Sequence, residues 1–368
     1  MMKFSINREQ LLTPLQQIVS VIEKRQTMPI LANVLIVIEN DQLILTGTDL
    51  EIQIIAKINI EAAEAGSITV PARKFLDICR LLPNGAEITF ELQDDKVKIS
   101  SNRSKFSLST LPAENYPEFA EGDMDSQFTI NAGKLKRALD KTMFCMANQD
   151  VRYYLNGLLL HLSNSQLELV ASDGHRLSIY NDTLEQGTGL EARIILPRKG
   201  VLELNRLLDD SDTELNVEFS NNNIRIFIKN LVFSAKLVDA KYPDFGKVFQ
   251  QDFSNKIRIE KPLLKTALTR VAILSNEKFK GVTFDITAEN LLRLSTHNPE
   301  HDEAEEELPV ELTGDPLSIS FNAQYLLDAV SNLDSEYAML TIASNASSCF
   351  IDEPDGCAYK FVVMPMRL

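Results

Sequence analysis

The sequence predicts an α+β protein built from three alike domains, and three recurrences along the chain predict it. The opening KFSINREQLLTPL, from Lys3, returns as QFTINAGKLKRAL from Gln127 and as KIRIEKPLLKTAL from Lys256. GTDLE around Thr48 becomes ASDGH around Ser172 and STHNP around Thr296, a step of 124 residues each time. TVPARKFLDICRLL recurs as ILPRKGVLELNRLL and, more faintly, as ISFNAQYLLDAVSNL. Periods of roughly 20–50 residues belong to solenoids; a longer one, the size of a whole domain, belongs to repeated domains. The expected domains are 1–122, 127–251 and 255–368, arranged in an arc. The acidic Ala120–Gln127 and the polar Gln250–Lys256 are the expected linkers.

Each domain reads as two halves of the same shape. In the first, the alternating Lys3-Phe4-Ser5-Ile6 is a strand. It leads into an amphipathic helix with Leu11, Leu12, Leu15, Ile18, Val19 and Ile22 on one face. Alternating strands follow over Val34–Glu39, Gln42–Thr46 and Glu51–Ile60, with Asn40-Asp41 supplying a hairpin turn. The second half opens with a strand at Ser67–Val70. Pro71 stands at the start of a helix over Ala72–Leu82, and Pro83-Asn84-Gly85 stops it. Strands over Glu87–Leu92, Lys96–Ser101 and Lys105–Leu111 complete the unit. Three such domains give six helices and about two dozen strands per chain.

Composition bounds the class. Hydrophobic residues make up 44% of 368 positions, ample for three ordinary cores. No basic n-region precedes an apolar run at Met1–Lys3, and no apolar stretch is long enough to span a bilayer, so a cytoplasmic protein without a membrane segment is expected. The four cysteines, Cys79, Cys145, Cys349 and Cys357, show no C-x-x-C spacing and read as reduced, mostly core thiols.

The net charge of −15 argues at first against a nucleic-acid partner. Its distribution reverses the argument. The six helical segments together carry +10 and everything else −25; only the sixth, Asn322–Leu333, is negative. If the helices share one side of the arc, that side is basic within an acidic shell. One basic helix is an ordinary solvated surface; five of six biased the same way suggest backbone-phosphate contacts that are non-specific and salt-sensitive. Arg73, Lys136, Arg137, Arg198 and Lys199 are the helical candidates.

At full length the residues resemble the bacterial DNA polymerase sliding clamp, the beta subunit of the replicative polymerase. The resemblance rests on LTGTDLE (Leu45–Glu51), VPARKF (Val70–Phe75), FSLSTLP (Phe106–Pro112) and QDVRYYLNG (Gln149–Gly157). It extends to SDGHRL (Ser172–Leu177), PRKGV (Pro197–Val201), ILSNEKF (Ile273–Phe279) and VVMPMRL (Val362–Leu368). It implies a head-to-tail homodimer closed into a ring of six clamp domains, with helices lining the hole, sheets outside and duplex DNA threaded through. It also implies a processivity factor with no catalytic residues, metal or cofactor. The implied partners are the replicative polymerase subunit, a clamp loader, translesion polymerases, and mismatch-repair and ligase proteins.

The resemblance also assigns residues. Arg25, Gln149, Arg152, Tyr153 and Tyr154 are implied at DNA; an ordinary strand or loop pair is the plain reading of the two tyrosines. Phe106 and Leu108, on a first-domain edge strand, are implied to pack against Ile273 and Leu274 of a second subunit. Lys74, Arg103 and Lys105 are implied to face Glu300, Asp302, Glu303 and Glu306, a run that otherwise reads as a solvated acidic loop. A hydrophobic cleft for extended partner peptides is implied at Leu155, Ser172, Gly174, His175, Arg176, Leu177, Pro243, Val248 and Phe279. The third domain adds Asn322, Tyr325, Ser348, Val362, Met364, Pro365, Met366, Arg367 and Leu368. Two departures fall in the cleft: the loop after Pro243 carries Gly246-Lys247 where the family often has arginines, and Ala346 sits where a larger aliphatic is common. A Met- and Pro-rich groove is adaptable enough for many partners, although Val362 by itself reads as core strand.

Other chemistry fits poorly. Ser172-Asp173-Gly174-His175 holds nucleophile, acid and base types, but alternation on a strand or tight turn keeps them apart. His297 and His301 have metal-like spacing only on a helix, and Pro299 argues against one. No G-x-x-x-x-G-K loop is present, so nucleotide hydrolysis must come from a separate loader. The rival reading is an acidic scaffold that gathers proteins without encircling DNA; it gives no reason for positive charge to gather on helices.

Overall fold

The computed structural model describes every residue except 1, 24–27, 62, 121, 186–187, 250–252, 344–347 and 368, and describes only the backbone of residues 253–254. Arg25, Ala346 and Leu368 therefore lie outside the described residues, as does part of the second linker. Six α-helices are found among the described residues: α1 (Arg8–Val19), α2 (Ala72–Leu81), α3 (Ala132–Thr142), α4 (Arg198–Leu207), α5 (Lys261–Val271) and α6 (Ala323–Ser331). The strands match their expected places closely. Lys96–Ser101 falls where the sequence places it, and Gln42–Thr48, Ile52–Asn59 and Ser104–Ser109 differ from the sequence reading by a residue or two at their ends, the margin within which element ends are defined at all.

Local chemistry accounts for the helices. Asn7 caps α1 by accepting from the Glu9 backbone N–H at 3.0 Å. Helix α2 starts behind Pro71 and buries Ala72, Phe75, Leu76 and Cys79, a three-and-four spacing that puts them on one stripe. Burying the Phe75 and Leu76 side chains contributes about 1.5–3 kcal/mol each. Asn322 caps α6 through the backbone N–H groups of Gln324 and Tyr325.

The chain divides into two compact units, Met1–Lys136 with Lys199–Asp239, and Arg137–Arg198 with Ala240–Leu368. The first holds an eight-stranded sheet. Four of its strands come from the first domain (33–39, 42–48, 52–59, 66–71) and four from the second (126–131, 214–219, 223–228, 231–236). The seam is the antiparallel pairing of Ile52–Asn59 with Leu231–Lys236, in which Ile54 stands opposite Phe233. The second unit repeats the device in a nine-stranded sheet, where Arg176–Thr183 pairs with Tyr359–Val363 and Ser178 stands opposite Phe361. Each unit also holds a four-stranded half-sheet in which one terminal strand follows its hairpin partner and pairs on that side alone. In the first unit that strand is Ser104–Ser109; in the second it is Glu303–Pro309.

The third repeat departs from the constant step read in the sequence. Thr48 and Ser172 close their hairpins alike, each hydroxyl donating to a carbonyl four residues on, of Ile52 (2.8 Å) and Arg176 (2.7 Å). Thr296 instead donates to the Gly281 carbonyl at 2.7 Å. The third hairpin is longer, since His297 pairs with Glu303 where Thr48 pairs with Gln53 and Ser172 with Leu177. Asn298 and Asp302 bridge this turn, and His301 takes a positive φ of 68° in it. With no helix there, the His297/His301 spacing has no metal-binding geometry.

Candidate functional site: a peptide cleft, a basic lining and two sheet edges

The second unit assembles much of the predicted cleft from three directions. The hairpin turn 172–176 supplies one wall. Gly174 sits at φ +87°, a backbone conformation that favours glycine, and the Arg152 guanidinium packs against it where a Cβ would lie 2.7 Å from Nη1. The C-terminal strand pairs Val363 with Arg176 and Val362 with Leu177, and the Met364 N–H continues the ladder to the His175 carbonyl at 2.8 Å. Helix α6 brings Tyr325, whose ring stacks on His175 at 6.4 Å and lies 4.5 Å under the Arg176 guanidinium.

The tail then forms a wall between two grooves. Met364, Pro365, Met366 and Arg367 line one of about 470 Å³ together with Ser318–Ser320. Met366 and Arg367 also line one of about 390 Å³ with Phe279, Gly281, Thr283, His297 and Pro299. The Met366 N–H holds the tail down through the Ser320 carbonyl at 2.7 Å. Phe279 is half exposed, which suits a contact residue. Leu155, Leu177, Ser348 and Val362 are instead buried, so they form floor beneath the cleft, and the core-strand reading of Val362 holds. Pro243 and Lys247 are exposed, and Val248 is half-buried on the turn Gly246–Phe249.

Ser172, Asp173 and His175 are spent on structure. The Ser172 hydroxyl donates to Arg176 and accepts from the Gly174 N–H at 3.0 Å. The Asp173 carboxylate accepts from the His175 and Arg176 backbone N–H groups and from Arg176 Nε. The His175 ring faces Tyr325, so no nucleophile–base–acid chain forms.

The basic residues proposed for DNA prove partly committed. Arg73 Nη2 donates to the Ile22 carbonyl at 2.7 Å and Arg198 Nη1 to the Met146 carbonyl at 2.9 Å. These are similar contacts in successive repeats, each to a carbonyl eleven residues before the strand residue, Asn33 or Gly157, that pairs with Pro71 or Pro197. Lys199 bridges Glu23 and Asp49, while Lys136 lies 3.5 Å from Asp210. Arg137 and the buried Lys141 share Asp334, at 2.7 and 2.6 Å. Burial acts to raise the Asp334 pKa, but the Lys141 hydrogen bond and the surrounding cations bring it below the usual carboxylate value. The sequence count of helical charge therefore overstates what is available to phosphate. Arg137 and Arg73 are the exposed ones, Arg137 with 56% of its side chain accessible.

On the turn 149–155, Gln149 is exposed at φ +59° and Tyr153 is 58% exposed, its ring edge-on to the half-buried Tyr154 at 6.0 Å. The two tyrosines occupy a single 3₁₀ turn rather than a strand. Arg152 is clamped by Asp150 (3.0 and 2.9 Å) and reaches the Asp173 carbonyl at 3.2 Å; its hydrogen bonds hold the Asp150 carboxyl down at about 2.

At the two free edges, Lys105 is exposed, Phe106 is 36% exposed, and Ile273, on the turn after α5, is 75% exposed. Lys74, Arg103, Glu300, Asp302 and Glu303 are exposed as well, and Leu274 is half-buried. Leu108 is already buried in its own chain. Glu306 is held by Arg270 at 2.5 Å within the chain, which lowers its pKa and takes it out of the simple set of acids awaiting a partner.

Sequence reasoning missed the acids that hold these groups in place: Asp150, Asp328 and Asp334. A signal was present, since the sixth helix alone carried net negative charge, and that charge is Asp328.

Three repeated domains, sheets shared across their seams and an apolar groove beside the C-terminal strand define a clamp-type binding protein. Models of the DNA polymerase III beta subunit match the whole chain in order: the N-terminal domain at 2–120, the central domain at 129–244 and the C-terminal domain at 246–367. The beta sliding clamps of Pseudomonas aeruginosa and Escherichia coli K12 are 44% and 43% identical, each over 100% of both chains. Among solved structures, a sliding clamp from P. aeruginosa bound to griselimycin superposes with a TM-score of 0.96 at 43% identity. The Caulobacter crescentus pol III beta does so at 0.94 and 33%, and both cover 100% of each chain. The chain belongs to the DNA polymerase III beta subunit family. It is a sliding clamp, a processivity factor for DNA polymerase, and the scaffold reading is not favoured. Among the described residues no helix is long and apolar enough to cross a membrane.

Proposed function

We propose that two copies of this chain close head to tail into a ring that encircles duplex DNA. The observation that carries it is the pair of half-sheets. The internal seams join four strands to four and four to five, while Ser104–Ser109 and Glu303–Pro309 each end a four-stranded sheet with an open edge. Open edges are liabilities that folded proteins cover or pair. Joining the two across subunits builds an eight-stranded sheet like that of the first seam, and a head-to-tail contact that closes after two copies leaves neither of these two edges open.

The seams also dictate a register. Phe233 opposes Ile54 and Phe361 opposes Ser178; Phe106 is their sequence counterpart. Counting from the hairpin pairs Thr48–Gln53, Ser172–Leu177 and His297–Glu303 makes Ala304 the counterpart of Ile54 and Ser178. Phe106 therefore opposes the partner's Ala304, which sets Lys105 opposite Glu305 and Ser107 opposite Glu303. Cross-strand neighbours lie roughly 4.5–5.5 Å apart at Cβ, within disulfide reach. With the exposed Cys357 changed to serine, a Lys105→Cys/Glu305→Cys chain is expected to oxidise to a covalent dimer on a non-reducing gel. Lys105→Cys/Glu300→Cys is expected to stay uncrosslinked; the reverse pattern overturns the register.

Retention on DNA is then topological, and weak, interchangeable contacts from Arg137, Arg152, Gln149 and Tyr153 permit sliding. Arg25, Tyr154, Lys136, Arg73, Arg198 and Lys199 complete the lining, the last four chiefly as supports. The Met-Pro grooves receive extended peptides from the polymerase, the clamp loader, translesion polymerases, and repair and ligase proteins, and the same cleft is our proposed seat for griselimycin, which a P. aeruginosa sliding clamp binds. No chemistry at the chain itself is required.

A further inference from the structure

Arg176 is an unusual wall for an apolar cleft. Only 12% of its side chain is exposed, and it is held by two carboxylates from different repeats. Asp173 Oδ2 takes Nε at 3.0 Å, and Asp328 Oδ2 takes Nη1 at 2.5 Å. The guanidinium lies between two rings, 4.5 Å from Tyr325 and 5.7 Å from Phe144. Tyr325 in turn stacks on His175. Tyr325 and Asp328 are three residues apart on α6, so one helix face presents both the ring and the acid to Arg176. Asp328 is itself steadied by Gln324 Nε2, which donates to Oδ1 at 2.8 Å.

We infer that Asp328 is a positioning residue for the cleft: through Arg176 it fixes the Tyr325–His175 wall against which a bound peptide packs. A buried cation that loses one of its two carboxylates turns toward water, because the pairing that offset its desolvation is gone. Arg176 then leaves the space between the rings, and Tyr325 loses the partner that holds its plane. The ligand never touches Asp328; it meets the wall that Asp328 keeps in place. This rests on the cleft reading proposed above.

The test uses griselimycin as the probe, with its Kd measured calorimetrically on the full chain. Asp328→Asn, which keeps the shape and removes the charge, is expected to weaken binding about tenfold or more. In an Arg176→Met background the same substitution is expected to change Kd by less than twofold, since the path through Arg176 is gone; interaction of this kind is what a double-mutant cycle isolates. Asp334→Asn removes an equally ion-paired acid from the Lys141 network and is expected to lower Tm without moving Kd. Asp328 is not a positioning residue if Asp328→Asn binds within twofold of the parent. Nor is it one if Asp334→Asn weakens binding equally, or if Asp328→Asn has its full effect without Arg176. A chain ending at Val363 separates the two claims. Unchanged binding by it overturns the cleft reading and this inference together, whereas lost binding beside a normal Asp328→Asn overturns this inference alone.

Discussion

A chain that ends at Val363 is expected to lose binding of griselimycin and of partner peptides by about 100-fold or more, roughly 2.7 kcal/mol, while remaining a dimer. The tail supplies four side chains to one groove and two to the other. Among the described residues its backbone is tied down by the Met364 and Met366 N–H bonds to His175 and Ser320. Its side chains from Met364 to Met366 are half-buried, whereas Phe361, Val362 and Val363 of the strand before it are buried. Cutting after Val363 therefore removes groove walls and spares the core, so Tm should fall by only a few degrees. Neither free edge strand touches the deleted segment in sequence or in its sheet. Sedimentation beside calorimetry reads both quantities, and a monomer after truncation would refute the separation of roles.

The opposite separation is expected at the edge. Ile273→Asp combined with Phe106→Asp should turn the dimer into a folded monomer at micromolar concentration. Ile273 exposes three quarters of its surface and Phe106 over a third, so in the single chain a carboxylate at either site meets water and costs little. In the ring each would be buried unpaired against the other subunit. Truncating central apolar anchors of an interface costs about 2–4 kcal/mol apiece, and burying a charge there costs more. Griselimycin affinity should stay within twofold because the cleft proposed for it lies within one chain, whereas retention on DNA should vanish. A variant that sediments as a dimer would place the subunit contact elsewhere.

The repeats were legible because what they preserve is local: alternation on strands, the apolar stripe of α2, and turn residues such as Asn40-Asp41, both at positive φ. The seams were not legible, because Ile54 and Phe233 lie far apart in the chain and nothing in either segment names its partner. Charge was read correctly as composition and incompletely as chemistry. Arg73 and Arg198 look like phosphate ligands in sequence, yet each spends a guanidinium N–H on a carbonyl in its own fold. The slip in the third hairpin escaped because Thr296 aligns by letter with Thr48, while the extra turn length turns its hydroxyl to Gly281. The cleft was legible as a residue set through family resemblance. Its floor, its walls and the acid behind Arg176 emerge only from packing.

The central claim is that the chain holds DNA by closure rather than by affinity. Affinity through phosphate contacts falls steeply with salt, whereas topology does not. The most direct measurement is release from a circle. The clamp is placed on nicked plasmid by a clamp loader, washed at high salt, and the plasmid is then cut once. The account predicts that the clamp survives the wash and leaves only when the circle is cut. A clamp that stays on the linear DNA after the same wash would contradict it.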